Sequence, residues 1–468
     1  MSKYKKKNDW AIFVGLLLIA IVTRVYGLSQ WPLVGDEYHT YNKAYERLTS
    51  FVNPAYYFLT VVSFKFFGVS EWAARLPACV LGIFSVPVFY LTWNRVIGRN
   101  AAVVSALFVL FSSWHLWYSQ SARFYSGVFL FASLAYYFFY RSIREDRFAF
   151  LAWSLLTMVL AILFHLTAAL IPVSLGAYCF AVVLFRSSRA QNSIRVSAVF
   201  LGICIIIGLA ALPFSYETLK AWENTGQKWG YNPILFGLQI LKYVQVPIAV
   251  SAFFGGLILL HKDRWTAIFF GFSIIVPILF LLPVSAVSSV RPDYAFYTLP
   301  LIIGLAGVLC GEIIALDRDR RFASVAVSVL IIVSLLPEFA SHFTGKVSLD
   351  ARDAISFIER EYQPGDRVVS FADGGVIGQY SKRTLEKSSV SHYVYDNSVD
   401  WASALHSYKN SSTRTWIILP ISRKLPAKGL DKWLLLHGNL MWRKVATRFD
   451  YTHKGYEIFL VDARPIDL

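Results

Sequence analysis

Apolar residues fall in long unbroken runs along most of this chain, not in the alternating or helical stripes of a soluble fold. Runs of about 20 residues recur at roughly 10–28, 76–96, 101–119, 122–141, 148–165, 166–185, 195–213, 236–260, 265–283, 294–315 and 321–340. A helix of that length crosses the ~30 Å hydrocarbon core of a bilayer, so the pattern predicts about eleven transmembrane helices. Between the first two runs, Tyr38–Phe51 and Pro54–Phe67 are amphipathic. They are expected to lie as interfacial helices in the first outer loop. The pattern changes after about residue 342. Ala351–Glu361 reads as a helix, Pro364-Gly365-Asp366 as a turn, and Arg367–Phe371, Thr415–Leu419 and Tyr456–Val461 as strands. The expected fold class is therefore a polytopic α-helical membrane protein over residues 1–342. A soluble α/β domain follows over residues 343–468.

Charge sets the orientation. With the N-terminus in the cytoplasm, the inward turns hold Arg95 and Arg99; Arg141, Arg144 and Arg147; Arg186, Arg189 and Arg195; Lys262 and Arg264; and Arg318, Arg320 and Arg321. Outward turns hold few, such as Arg123 and Arg291, as the positive-inside rule requires. The first run starts with Lys3, Lys5, Lys6 and Lys7 but lacks a small-residue cleavage site, so it reads as an uncleaved anchor. An odd number of spans places the C-terminal domain outside the cytoplasm. The protein is thus expected to be integral to a plasma membrane, the inner membrane in a bacterium.

Composition agrees. The chain is 56% hydrophobic and only 16% charged, more apolar than a soluble domain of this size requires. Its net charge of +16 would suggest nucleic acid, but the basic residues flank spans or lie in the C-terminal domain, and anionic lipid is the expected partner. Cys79, Cys179, Cys204 and Cys310 all fall inside predicted spans, with no metal-site or disulfide spacing, and are read as packing.

Candidate chemistry collects at the outward ends of the spans. Asp36-Glu37 follows the first span, where two adjacent carboxylates are either a solvated acidic loop or a site. As a site, Asp36 is a general base for a hydroxyl or amine, and Glu37 anchors the fold or orients it. Tyr56 and Tyr57, in Val52-Asn-Pro-Ala-Tyr-Tyr57, are interfacial anchors or a platform for a sugar ring. Arg75 starts the second span, Arg123 sits in the tight turn Ser121-Ala-Arg-Phe-Tyr125, and Arg291 opens Arg291-Pro-Asp-Tyr294. Each is a snorkelling flank residue or a ligand for phosphate, which guanidinium bonds in bidentate fashion. None has an obvious acidic partner in its own short loop. His165, at an outward span end, is expected to be a hydrogen-bonded structural residue.

In order, Gly-Asp-Glu-Tyr38, Asn-Pro-Ala-Tyr-Tyr57, Phe-Gly-Val-Ser-Glu-Trp-Ala-Ala-Arg-Leu-Pro77 and Tyr-Ser-Gln-Ser-Ala-Arg-Phe-Tyr125 form a set. Together they resemble the polyprenyl-phosphate-sugar glycosyltransferases of the C superfamily, relatives of protein O-mannosyltransferases and of the lipid A aminoarabinose transferase. The resemblance is strong over residues 10 to about 147 and weaker over 284–315. It implies inverting transfer of a sugar from a polyprenyl-phosphate donor to an extracytoplasmic acceptor, which is a glycolipid, a polysaccharide or a protein. Asp36 matches the catalytic base, Glu37 its neighbour, and Arg75 an arginine that contacts the donor phosphate. Tyr56 and Tyr57 match the aromatic pair of the first loop. Asn53 stands where relatives often carry Lys or His, which leaves Arg123 or Arg291 to supply the missing cation. Asn53, Tyr125 and Tyr294 join Tyr56 and Tyr57 as expected sugar or acceptor contacts. Arginines can neutralise the departing phosphate, so no cofactor is expected, with a divalent metal left open; nor is nucleic acid expected. The alternative is a lipid or sugar transporter, but transporters place ionisable groups at the bilayer midplane on repeated, broken helices. A membrane scaffold acting through its C-terminal domain is a third class.

Overall fold

In the computed structural model the described residues are 3–30, 32–33, 36–46, 53–185, 193–226, 233–287, 290–314, 318–344, 351–370, 390–392, 413–420, 430–445 and 455–461. Of the residues singled out above, Phe51, Val52, Arg186, Arg189 and Phe371 lie outside them. Contacts divide the chain into two units. One is Met1–Tyr26 with Arg47–Ala340, and the other is Gly27–Glu46 with Ser341–Leu468.

The first unit is helical. Its elements are α1 (Lys3–Val25), α3 (Pro54–Phe67), α4 (Glu71–Ile97), α5 (Arg99–Phe111), α6 (Ser113–Ser119), α7 (Tyr125–Glu145), α8 (Phe148–Phe164), α9 (Leu170–Leu184), α10 (Ile194–Gly226), α11 (Pro233–Val244), α12 (Val246–Lys262), α13 (Arg264–Val287), α14 (Leu299–Ile314) and α15 (Arg318–Thr344). Short 3-10 turns, Leu166–Ala169 and Pro292–Thr298, precede α9 and α14. Among the described residues, five helices are long and apolar enough to cross a membrane: Glu71–Ile97, Leu166–Leu184, Arg264–Ala286, Pro292–Glu312 and Val325–Phe343.

Two stretches that the hydropathy pattern presents as single spans are broken. The run 101–119 bends by 60° between α5 and α6, where the Ser112 side chain accepts the His115 amide and caps the new helix. The run 236–260 bends by 92° between α11 and α12. There Gln245 adopts a positive φ of 71°, and a proline at the start of α12 has no amide to continue α11.

Small residues let the helices meet closely. Gly307 and Gly311 of α14, four residues apart, lie against Ala101 and Ser105 of α5, and Gly255 of α12 lies against the Leu305 backbone. The end of α1 is held by a buried polar cluster. Arg24 Nη2 donates to the carbonyls of Val109 and Leu110 at 3.3 and 3.0 Å and lies 3.3 Å from His115 Nδ1. His115 Nε2 is 2.8 Å from Ser85 Oγ, whose hydrogen goes to the Gly82 carbonyl. That arrangement assigns the proton to Nε2 and leaves Nδ1 to accept from Arg24. Gln120 Nε2 lies 2.7–3.2 Å from three carbonyls, those of Thr23 and Arg24 at the end of α1 and of Tyr26 just beyond it.

The second unit carries α2 (Asp36–Tyr45), α16 (Ala351–Glu361), α17 (Leu430–His437) and a five-stranded sheet. Its strands are β1 (Arg367–Ser370), β2 (Val390–His392), β3 (Thr415–Pro420), β4 (Asn439–Val445) and β5 (Gly455–Val461), in the order β2-β1-β3-β5-β4. The β1 pairings are parallel and the β5 pairings antiparallel. Ala354, Ile355 and Ile358 form one face of α16 and bury against Val368, Trp416, Ile418, Tyr456 and Ile458. Asp366 ties the turn before β1 to the core: Oδ2 accepts the Gln363 amide at 3.0 Å and the Trp416 indole at 2.8 Å. Sequence pattern places β1, β3 and β5 correctly. It does not reveal β2, which is three residues long, or β4.

Candidate active site

Three irregular connections at one end of the helical unit meet around His165. The first is the α6–α7 turn, held by Ser126 Oγ donating to the Tyr118 carbonyl at 2.9 Å. The second is the break between α8 and α9. The third is the 3-10 turn Pro292–Thr298 ahead of α14. His165 stacks on Phe124 with ring centres 4.7 Å apart, and lies 5.4 Å from Tyr125 and 5.3 Å from Tyr294. Its Nδ1 accepts the Thr167 amide at 3.4 Å and lies 2.6 Å from Thr167 Oγ1, which leaves the proton on Nε2. Burial, then the positive charge of Arg123 and Arg291, pushes the imidazole well below its ordinary range, so it is neutral at physiological pH.

The two arginines are held differently. Arg123 Cζ lies 4.4 Å from the Phe124 ring centre, a cation–π contact. Arg291 Nε and Nη2 both bond Asp293 Oδ2, at 3.0 and 2.9 Å. Asp293 is 4% exposed, and its Oδ1 accepts the Trp114 indole at 3.4 Å. This corrects the expectation that Arg291 has no acidic partner in its own loop. The signal was in the sequence, two residues on, and the intervening proline starts the turn that folds the carboxylate back. Behind the arginines stand Trp114, Tyr118, Tyr125 and Phe296, with Trp114 and Phe296 rings 4.9 Å apart and Tyr118 and Tyr125 rings 4.2 Å apart. Asp293, Trp114 and Tyr118 were not singled out in the sequence, and only the fold brings them to Arg291.

The remaining predicted residues divide between the units. Arg75 is buried at 2% exposure in the first turns of α4. Tyr56 is buried beside it on α3 and donates its hydroxyl to the Ala74 carbonyl at 3.0 Å, so it helps pack α3 on α4. Tyr57 and Asn53 are also buried, with Asn53 immediately ahead of α3. Asp36 and Glu37 open α2 in the second unit, Glu37 buried and Asp36 half-buried. Carboxylates in a first helical turn face the positive end of the helix dipole. In that unit Tyr38 packs against the α16–sheet core, and Arg352 donates to the Gln30 carbonyl at 2.8 Å. The acid pair therefore belongs by contact with the C-terminal elements, which the sequence did not foretell. Among the described residues, no group of three or more His, Cys, Asp or Glu side chains is placed to hold a metal ion.

Residues 52–216 match the family model for dolichyl-phosphate-mannose-protein mannosyltransferases. The structure superposes on ArnT from Cupriavidus metallidurans in the apo state with a TM-score of 0.60 and 15% identity, covering 98% of this chain and 99% of that one. The chain has the fold of a C-superfamily glycosyltransferase. ArnT bound to undecaprenyl phosphate gives a TM-score of 0.58 at 15% identity over 96% and 97% of the two chains. The Archaeoglobus fulgidus oligosaccharyltransferase AglB, solved with an inhibitory peptide and a dolichol-phosphate, gives 0.58 at 13% identity, covering 89% of this chain and 70% of that one. No curated protein sequence matches the chain.

Proposed function

We propose that this protein is an integral-membrane glycosyltransferase that moves a sugar from a polyprenyl-phosphate donor to an acceptor outside the cytoplasm. The observation that carries the reading is the meeting of Arg123 and Arg291 around a neutral His165 in an aromatic-walled site. The C-superfamily fold and the undecaprenyl phosphate bound by its ArnT neighbour support it. The arginine bias of the sequence supports an extracytoplasmic site.

In this account Asp36 removes the proton from the acceptor hydroxyl or amine. The freed electron pair attacks the anomeric carbon, and the bond from that carbon to the phosphate oxygen breaks on the opposite face, inverting the centre. Polyprenyl phosphate leaves as an anion, and the guanidinium groups of Arg123, Arg291 and Arg75 stabilise the charge it gains. His165, being neutral, donates its Nε2 hydrogen to an oxygen without adding charge. The half-buried ring of Tyr294 offers a face to the sugar, while the buried Tyr125, Tyr56, Tyr57 and Asn53 act from behind the contact surface. The acceptor is a glycolipid, a polysaccharide or a protein.

The test is binding of undecaprenyl phosphate to purified wild type and to Arg123→Ala, Arg291→Ala and Arg75→Ala. Each loss is expected to weaken binding about tenfold or more, since a charged hydrogen bond contributes about 1.5–3 kcal/mol. Arg→Lys should restore it only in part, because the paired geometry is gone. Wild-type binding by all three alanine variants removes the phosphate from this site.

A further inference from the structure

At the end of the helices opposite Arg123, three arginines converge on one cavity. Arg75 and Arg95 lie 20 residues apart on α4, ~30 Å along a helix axis, about one hydrocarbon thickness. The cavity has a volume of about 480 Å³ and is lined by Arg95, Tyr140, Arg141, Arg144 and Glu145. It is open to its surroundings, a groove at the helix ends rather than an enclosed pocket.

The guanidinium groups in it are fixed by their neighbours. Arg141 Cζ lies 4.2 Å from the Phe150 ring centre, and its Nη1 donates to the Tyr137 hydroxyl at 2.7 Å. Arg95 Nη1 donates to the same hydroxyl at 3.3 Å. Arg144 Nη2 pairs with Asp263 at 2.9 Å, and Asp263 is itself anchored by the Thr266 amide and hydroxyl at 3.1 and 2.8 Å. Tyr140 completes the wall, its hydroxyl 3.0 Å from Thr266 Oγ1. Glu145 pairs with Arg141. Three guanidinium groups thus face two carboxylates, Glu145 in the lining and Asp263 behind Arg144, which leaves one positive charge in surplus; Arg95 hydrogen-bonds a phenol and acts on Glu145 only through space.

A basic residue that merely flanks a span stays in the aqueous layer, as Arg195 does: its side chain is 76% exposed, with only a long 3.8 Å contact to Asp146 and a 5.7 Å approach to the Phe148 ring. Arg141 and Arg144 are 17% and 24% exposed and are clamped by rings and acids. Arginines held this way with a surplus of positive charge suit a phosphate ester. The adjoining surface suits acyl chains: α8, which packs along α7, exposes Phe148, Trp153, Leu156 and Val159.

We propose that this cavity binds a phosphate ester, the headgroup of an anionic membrane lipid in the leaflet opposite the candidate active site. Inorganic phosphate shares the recognition chemistry and lacks the chains, so the two sources separate experimentally. Purified full-length protein in detergent is titrated with phosphatidylglycerol, with phosphatidylcholine of the same chains, and with inorganic phosphate. Thermal unfolding and retained adducts in native mass spectrometry are the readouts. Phosphatidylglycerol is expected to raise the unfolding midpoint and leave one retained adduct, and the other two probes are not. Arg95→Gln and Arg141→Gln should each weaken that binding about fivefold. Arg141→Gln also loses its ion pair with Glu145, so Arg95→Gln, which gives up a phenol hydrogen bond and a through-space interaction with Glu145 but no close ion pair, keeps the test valid if the former fails to fold. Equal stabilisation by inorganic phosphate that Arg95→Gln weakens would keep the phosphate chemistry and refute the lipid source. Full phosphatidylglycerol binding by the Arg95→Gln variant, or no binding of any probe to wild type, overturns the proposal.

Discussion

Gly307→Ala should loosen the helical unit at the close contact of α14 with α5. An added Cβ at Gly307 would sit 2.6 Å from the Ala101 carbonyl oxygen and overlap Ser105 Oγ. An ordinary C···O approach is about 3.3–3.6 Å, so α14 and α5 must part by roughly 0.7–1 Å. The carbonyl is backbone and cannot rotate away, and Ser105 Oγ is engaged with the Ile303 carbonyl at 3.2 Å. Overpacking of this kind destabilises by about 1–3 kcal/mol. Loss of the interhelical hydrogen bond adds about 0.6 kcal/mol in a membrane protein. Alanine's better helix propensity returns up to about 1 kcal/mol. The net is roughly 1–3 kcal/mol, or on the order of 1.5–4.5 °C in the unfolding midpoint of a unit this size. Because α5 leads into α6 with Trp114, and α14 follows the turn with Asp293, parting them also lengthens the Trp114–Asp293 bond, already 3.4 Å. Undecaprenyl phosphate binding should therefore weaken with stability. Thermal unfolding of purified protein measures the first effect, with Gly271→Ala as control. Nothing lies within 4 Å of a Cβ there, so that variant should match or exceed wild type. A Gly307→Ala midpoint within about 1 °C of wild type would refute the close-approach reasoning.

Asp293→Asn keeps an acceptor for the Trp114 indole but removes the charge that holds Arg291, so donor binding should change by about tenfold while stability falls by only about 1 kcal/mol; calorimetric binding of undecaprenyl phosphate checks it. His165 titrates below its unfolded range, so its contribution to stability is present above pH ~6.5 and is lost as pH falls below that. Between pH 7 and 5 wild type should lose about 2 kcal/mol through this residue, and denaturation of His165→Gln across that window should show a correspondingly flatter pH dependence.

Much of this was legible in the order of residues, and the losses have physical causes. Apolar runs announce membrane helices because nothing else requires 20 consecutive apolar positions. They do not announce bends: a cap at Ser112 or a positive φ at Gln245 interrupts a helix without interrupting hydropathy. Arg123 and Arg291 were found as arginines on the rarer side of the charge bias. Their meeting at His165 rests on tertiary packing between residues far apart in the chain. The Asp293 carboxylate was visible but overlooked, since a partner two residues away reaches back only when proline starts a tight turn. In the second unit, β1, β3 and β5 are apolar and bounded by turn residues, so they were readable. The association of α2 with α16 through Tyr38 has no local signature.

The most direct measurement of the central claim follows the sugar. Purified wild type and Asp36→Asn are incubated with lipid-linked sugars extracted from the source membranes and with acceptor membranes from a deletion strain. Free polyprenyl phosphate and acceptor-bound sugar are then quantified by mass spectrometry. The account predicts that wild type releases polyprenyl phosphate in equal amount to the sugar transferred, and that Asp36→Asn binds polyprenyl phosphate normally but transfers about 10²–10⁴-fold more slowly. An Asp36→Asn variant that keeps more than a tenth of wild-type turnover would contradict the assigned base, and sugar that crosses the bilayer still joined to its lipid would contradict transfer itself.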